Sequence, residues 1–161
     1  MTNREEPDAY AVAALHVRST ELTPEMISER LGLQATRVQR KGEMQELDEL
    51  RWRYSTHCFI LSVQRMGIRA SAGTETQLLH QVVDEVLGAI EAVADKLQGL
   101  RSVATPELVC AYGSVAGVRE LSLSVKLLQR IVALELPLTV YPFRMEKRPD
   151  DSGPANSGQE H

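Results

Sequence analysis

The sequence has 161 residues, 43% of them hydrophobic and 25% charged, which predicts one globular domain with a core large enough to fold without disulfides or metals. Its 18 Lys and Arg residues are outnumbered by 22 Asp and Glu residues, and the net charge of -4 argues against a dedicated binder of nucleic-acid phosphates. Aromatic residues make up only 4% of the chain, so the core must consist mainly of Leu, Val, Ile and Ala.

Both ends of the chain are polar. Residues 1–8 and 145–161 are predicted to be disordered tails, because they offer too little apolar surface to offset the entropy cost of ordering, and residues 9–144 to form the single domain. The first residues carry charges and a proline where a secretory signal would be apolar, and no uncharged apolar run approaches membrane-spanning length. We therefore expect a cytoplasmic protein with no membrane partner.

The first two elements show clear local signals. Residues 10–17 form a mostly apolar run with the period of a strand. Thr23 and Pro24 predict the start of a short helix, because a Thr hydroxyl caps and Pro has no donor to lose at the first helical position. Gly32 predicts the end of this helix, because glycine readily adopts the left-handed backbone conformation that stops a helix. One strand face should carry Ala11, Ala13, Leu15 and Val17.

The next part of the chain is less regular. Residues 34–50 mix acids, amides and cations without sustained periodicity, which predicts a long polar connection. Residues 51–64 are rich in aromatic and β-branched side chains and predict a strand. We expect its Trp52 to be a core or sheet residue, because a buried indole would add a large apolar area to an aromatic-poor domain.

A long helix follows. Residues 75–98 place Leu, Val and Ile at the three-to-four spacing of an apolar helix face. Residues 108–112 then predict a strand that ends at Gly113, and residues 113–117 predict a turn.

The last two elements complete the predicted fold. Ser122 predicts the cap of a helix that runs to Leu134, and residues 138–141 predict a strand that Pro142 ends or places at a sheet edge. The order β-α-β-α-β-α-β indicates a two-layer α+β domain with a four-stranded sheet and helices on one face. Strand order stays open. A ferredoxin-like arrangement is a plausible relative, but it needs a hairpin that the pattern does not locate.

In order and spacing, these elements carry a family resemblance. The residues concerned are strand 10–17, the helix entered at Leu22-Thr23-Pro24 and left at Leu31-Gly32-Leu33, the turn Lys41-Gly42-Glu43, Trp52, the long Leu/Val helix, and Leu121-Ser122 leading to Tyr141. Over about residues 9–143 the chain resembles DUF4279, a bacterial family of domains of unknown function. The resemblance implies a small bacterial α+β domain without an agreed activity, and it supplies no catalytic residue. Some small families of this kind serve as immunity proteins of toxin systems.

The candidates for nucleophilic catalysis are two histidines and two cysteines. Cys58 and Cys110 have apolar neighbours and no ligand spacing, so we predict buried, reduced thiols. Adjacent His57 and Cys58 would point to opposite faces of a strand and cannot pair. His16 could approach a cysteine only if strand order allows. No catalytic residue is therefore assigned.

No metal or cofactor is predicted either. His80 and Asp84 would share a helix face, but two ligands are too few for a metal site. Residues 113–117 lack both the Walker lysine and the glycine spacing of a dinucleotide site. Paired carboxylates such as Glu25 and Glu29 are assigned to a solvated helix face.

Five basic residues between positions 37 and 53 remain as candidates for binding an acidic partner. Four acids in residues 36–53 reduce the net charge of that segment to +1, so internal ion pairing is the competing interpretation. The leading hypothesis is a non-enzymatic interaction module with a protein partner, in one version a toxin-neutralising immunity protein. The alternative is a small hydrolase or transferase that uses His16, His57 or a cysteine, and weak nucleic-acid binding ranks third. The partner-binding candidates are Arg37, Arg40, Lys41, Arg51 and Arg53.

Overall fold

The computed structural model describes residues 8–47, 49–67, 73–115, 117 and 122–145. The predicted tails lie outside these residues, except for Asp8 and Met145 at their inner ends. The described part contains four helices, α1 (Pro24–Leu31), α2 (Thr74–Glu91), α3 (Ala94–Leu100) and α4 (Val125–Ala133), and seven strands, β1 (Ala9–Ser19), β2 (Arg37–Gln39), β3 (Met44–Leu47), β4 (Leu50–Arg53), β5 (His57–Gly67), β6 (Thr105–Ser114) and β7 (Leu138–Arg144).

Five strands form the main sheet, in the order β2-β5-β1-β6-β7, and β3 and β4 form a separate two-stranded sheet. All neighbours in the main sheet are antiparallel except β6 and β7, which are parallel. The predicted mixed α+β class is confirmed. The predicted four-stranded sheet is wrong, because β2, a three-residue segment too short to show a strand period, adds a fifth strand at its edge.

The central strand is β1, whose two edges pair with β5 and β6. The alternation predicted for it is confirmed, since Ala11, Ala13, Leu15 and Val17 are all fully buried. Buried apolar side chains from each of the four described helices belong to one cluster with this face of β1. Ala14, Cys58 and Ile60 form a second cluster, on the face that the described helices do not cover.

Helix α1 begins and ends where the sequence predicts. The Thr23 hydroxyl accepts a hydrogen bond from the Met26 amide at 3.4 Å, which caps the first turn. At the other end Gly32 adopts a φ of 72°, a left-handed conformation that costs a residue with a Cβ more than it costs glycine. Ile27 and Leu31 anchor the helix in the core.

The predicted polar connection 34–50 is not a plain loop, and this prediction is wrong. It contains β2, which pairs with the first part of β5, and β3, which pairs with β4. The strand predicted over residues 51–64 is correspondingly two strands, because the chain turns between Arg53 and His57 and changes pairing partner there. Cross-strand pairing stabilises such short segments, and the pattern of one segment alone does not reveal it.

The long helix predicted over residues 75–98 is also divided. The Val93 amide bonds to the Ile90 carbonyl at 3.0 Å, a tighter turn than an α-helix makes, and α3 starts after it. The turn leaves Leu97 and Leu100 buried against the same core as α2. Tertiary packing here overrides a continuous helical period.

Two boundaries in the last third differ from the prediction. Gly113 lies inside β6 rather than in a turn, and a Cβ there would lie 2.5 Å from the Phe143 carbonyl oxygen of β7. The cap of α4 is Ser124 and not Ser122, because the Ser124 hydroxyl accepts from the Leu127 amide.

Strand β7 confirms the edge position expected for Pro142. Bonds from the Leu108 amide to the Pro137 carbonyl and from the Met145 amide to the Ser114 carbonyl show that odd-numbered residues of β7 face β6. Pro142 is even-numbered, so its nitrogen faces the open edge and its missing donor costs no ladder bond.

Candidate interaction surfaces

The β3–β4 hairpin has one apolar and one charged face. Leu47 is the Cα partner of Leu50, and Gln45 is the partner of Trp52. Because side chains alternate along a strand, Leu47, Leu50 and Trp52 lie on one face of the ribbon. The opposite face carries Met44, Glu46, Arg51 and Arg53.

The apolar face of the hairpin is exposed. Leu47 is 61% exposed, Leu50 68% and Trp52 41%. Trp52 was predicted to be a core or sheet residue; it does lie in a sheet, the two-stranded one, but it is not a core residue, because β4 pairs with β3 and not with the main sheet. A contiguous group of large exposed apolar side chains is unusual on a free surface and typical of a contact surface.

The base of the hairpin is held by main-chain bonds. The Gly42 amide donates to the Tyr54 carbonyl at 2.8 Å, and the Tyr54 amide donates to the Glu43 carbonyl at 3.2 Å. The Lys41 amide donates to Nδ1 of His57 at 3.1 Å, which joins this base to the start of β5. Beyond it, β3 and β4 contact mainly each other. The base is thus fixed while the apolar face stays accessible.

The five basic candidates divide among several places. Arg51 and Arg53 share the charged face of the hairpin, where Arg51 pairs with Glu46 at 3.0 Å. Arg40 pairs with a carboxylate of α1, and Arg37 lies on the sheet face opposite the helices. Within the described residues, the side chains of Arg37, Lys41 and Arg53 make no hydrogen bond or ion pair. Binding of an acidic partner by this set stays a prediction.

A polar cluster occupies the sheet face opposite the helices. The Arg18 guanidinium donates to one carboxylate oxygen of Glu107 and to Nδ1 of His16, the latter at 3.2 Å. The Thr139 hydroxyl donates to the other Glu107 oxygen. Since an arginine has no acceptor, Nδ1 of His16 accepts and the ring proton lies on Nε2. The cluster thus links β1, β6 and β7.

The charges of this cluster are balanced internally. The Thr139 hydrogen bond, together with Arg18, lowers the pKa of Glu107, so the carboxylate stays ionised. Burial lowers the pKa of His16, and the positive charges of Arg18 and Arg37 lower it further, so the imidazole is neutral at pH 7. The ion pair and its hydrogen bonds thus join β1, β6 and β7. Nδ1 of His16 is already used as an acceptor for Arg18.

Neither thiol is placed for nucleophilic chemistry. Cys58 and Cys110 are free and fully buried, as predicted, and lie on opposite faces of the sheet. Burial raises the pKa of Cys58, and it raises the pKa of Cys110 to about 12. The thiolate is the reactive form of cysteine, so both groups are inert at neutral pH. Nδ1 of His57 accepts a hydrogen bond from the Lys41 amide rather than facing either thiol.

His80 and Asp84, both on α2, bond to residues of α4 or of the segment just before it. His80 donates from Nε2 to the Ser122 carbonyl at 2.7 Å, just before α4. Asp84 pairs with Arg130 at 2.5 Å, and Arg130 also pairs with Glu91 at 2.7 Å, which ties α4 to α2. No group of three His, Cys, Asp or Glu residues that could hold a metal exists in the described part of the chain.

The structure also contains a groove between α1 and β2 that the sequence did not reveal. It has a volume of about 460 Å³, and Leu33, Ala35 and Val38 contribute to its lining. Glu25 and Glu29 of α1 line the same groove. Their four-residue spacing was visible in the sequence, but the apolar surface beside them became apparent only when β2 was placed next to α1.

The molecule is thus a small α+β domain whose described helices cover one sheet face, with an exposed hairpin at one edge. A model of the DUF4279 family, a domain of unknown function, matches residues 8–142, and the chain belongs to this family. The family resemblance seen in the sequence is confirmed. Comparison with curated proteins and with solved structures found no match. Among the described residues no helix is both long and apolar enough to span a membrane.

Proposed function

We propose that this chain is a non-enzymatic interaction module that binds a protein partner through the β3–β4 hairpin. The observation that carries the proposal is the exposed apolar face formed by Leu47, Leu50 and Trp52. A two-stranded hairpin is at best marginally stable in water unless its apolar face is covered. A partner that covers this face would stabilise the ribbon and bury three large side chains at once.

The residue types on the hairpin fit such a role. Trp and Arg are enriched among the residues that dominate the affinity of protein interfaces, and Trp52 lies between Arg51 and Arg53 along β4. In a complex, the indole would fill an apolar pocket of the partner. The Arg53 guanidinium, which makes no ion pair within the described residues, would meet an acidic group at the rim, where charges mainly increase the association rate.

The enzyme alternative has less support. His16 and His57 accept hydrogen bonds from an arginine side chain and from a main-chain amide, respectively, and both thiols are buried. In the toxin-neutralising version of the proposal, the bound partner would be an enzyme whose activity the complex blocks. Inhibition of the purified partner would distinguish that version from simple binding.

The test compares three forms of the chain in the organism that encodes it. Tagged wild type, Trp52→Ala and Val132→Ala are purified, and any stoichiometric partner is then produced separately for calorimetric titration. Val132 is the matched control, because it is 73% exposed but lies on α4. We expect Trp52→Ala to weaken binding at least about 30-fold and the control to leave it unchanged. Equal affinity of wild type and Trp52→Ala, or no stoichiometric partner at all, would refute the proposal.

A further inference from the structure

The groove between α1 and β2 lies beside an open strand edge. β2 is the outermost strand of the main sheet on its side and is only three residues long. Within the described strands, its outer edge has no partner. An exposed edge of this kind is a template on which an extended peptide can add as a further strand.

The groove is lined where an added strand would place its side chains. Val38, the middle residue of β2, is 39% exposed and lines the groove, while Arg37 and Gln39 point to the other face of the sheet. A strand added beside β2 would direct every second side chain towards the groove. Apolar side chains there would meet Leu33, Ala35 and Val38.

The α1 side of the groove already binds one guanidinium. Arg40 donates to both carboxylate oxygens of Glu25, at 3.1 and 2.5 Å, and this bonding lowers the pKa of Glu25 to about 2. Glu29 lies one helical turn further along α1 and lines the same groove. Its carboxylate makes no hydrogen bond or ion pair within the described residues. It is therefore the acceptor left for a second basic side chain.

We propose that an extended segment of a partner protein adds to the edge of β2 and places a basic side chain against Glu29, with apolar side chains on either side of it in the groove. The selectivity follows from charge complementarity, since an acidic side chain at the central position would face the carboxylate of Glu29, whereas the charge of Glu25 is already paired with Arg40. This site uses a different surface from the apolar face of the hairpin, so either proposal can fail without the other.

The binding test uses a defined probe. A fluorescein-labelled peptide, Thr-Val-Thr-Arg-Thr-Val-Thr, presents Val, Arg and Val on one face when extended. Its controls replace Arg with Glu, or carry N-methyl groups on the amides that a strand must donate. Fluorescence anisotropy with the full chain should show saturable binding of the Arg peptide and at least about tenfold weaker binding of both controls.

Variants of the chain locate the site. Glu29→Gln should weaken the Arg peptide about tenfold and bring its affinity close to that of the Glu peptide. Glu85→Gln, which changes a glutamate of α2 that pairs with Arg65, should leave binding unchanged. Trp52→Ala should also leave it unchanged, which separates this site from the hairpin. Lack of saturable binding, equal binding of the Glu peptide, or indifference to Glu29→Gln would each overturn the proposal.

Discussion

Replacing Trp52 with alanine should change the stability of the domain much less than replacing a core aromatic residue does. Phe59 is the reference, because it is fully buried in the main cluster, whereas Trp52 is on the exposed face of the hairpin. A buried Phe→Ala change costs about 3–5 kcal/mol, from lost apolar burial and the cavity left behind.

For Trp52 the structure sets a smaller limit. β3 and β4 contact mainly each other, so the loss is that of a cross-strand pair with Gln45, about 0.2–1 kcal/mol. For a domain of this size 1 kcal/mol corresponds to about 2–4 °C in melting temperature. Trp52→Ala should therefore lower Tm by less than about 4 °C, and Phe59→Ala by about 6–20 °C.

The assay is urea and thermal unfolding followed by far-UV circular dichroism. Fluorescence is unsuitable for the variant, because Trp52 is the only tryptophan in the chain. If Trp52→Ala and Phe59→Ala lowered the free energy of unfolding equally, the hairpin would have to pack on the body of the domain. The reasoning that separates the apolar face of the hairpin from the core would then be refuted.

Further predictions concern the backbone and one ion-pair network. Gly113→Ala should destabilise by about 1–3 kcal/mol, because the new Cβ meets the backbone of β7, whereas Gly88→Ala, in open space on α2, should stabilise by up to about 1 kcal/mol in the same urea assay. Gly32→Ala should cost about 1–2 kcal/mol because of its φ of 72°, and a neutral result would contradict the left-handed end of α1. Arg130→Leu should cost about 1 kcal/mol at neutral pH. Its hydrogen bond lowers the pKa of Glu91, so this contribution is complete above pH 4.5, the ordinary glutamate value, and is lost as pH falls below it. A difference between wild type and Arg130→Leu that grows on acidification would contradict this sign.

Some surface features could be predicted from the sequence and others could not. The shared direction of Arg51 and Arg53 follows from the sequence alone, because alternation along a strand is a local property. The apolar face on the other side of the ribbon was not predicted, since Leu47 and Leu50 come together only through pairing of β3 with β4. The groove beside Glu29 was missed for a similar reason, because its two sides come from separate elements.

The sequence by itself determined β1, α1 and the mixed α+β class. Alternating apolar residues, the Thr23 cap and the Gly32 stop act within a few residues of chain. Their effect therefore does not depend on the distant parts of the sequence. Only the tertiary structure decided that Trp52 is exposed, that the sheet has five strands and that the long helix divides before Ala94. Those features depend on which distant segments a strand or helix packs against, and a local sequence pattern does not specify those packing partners.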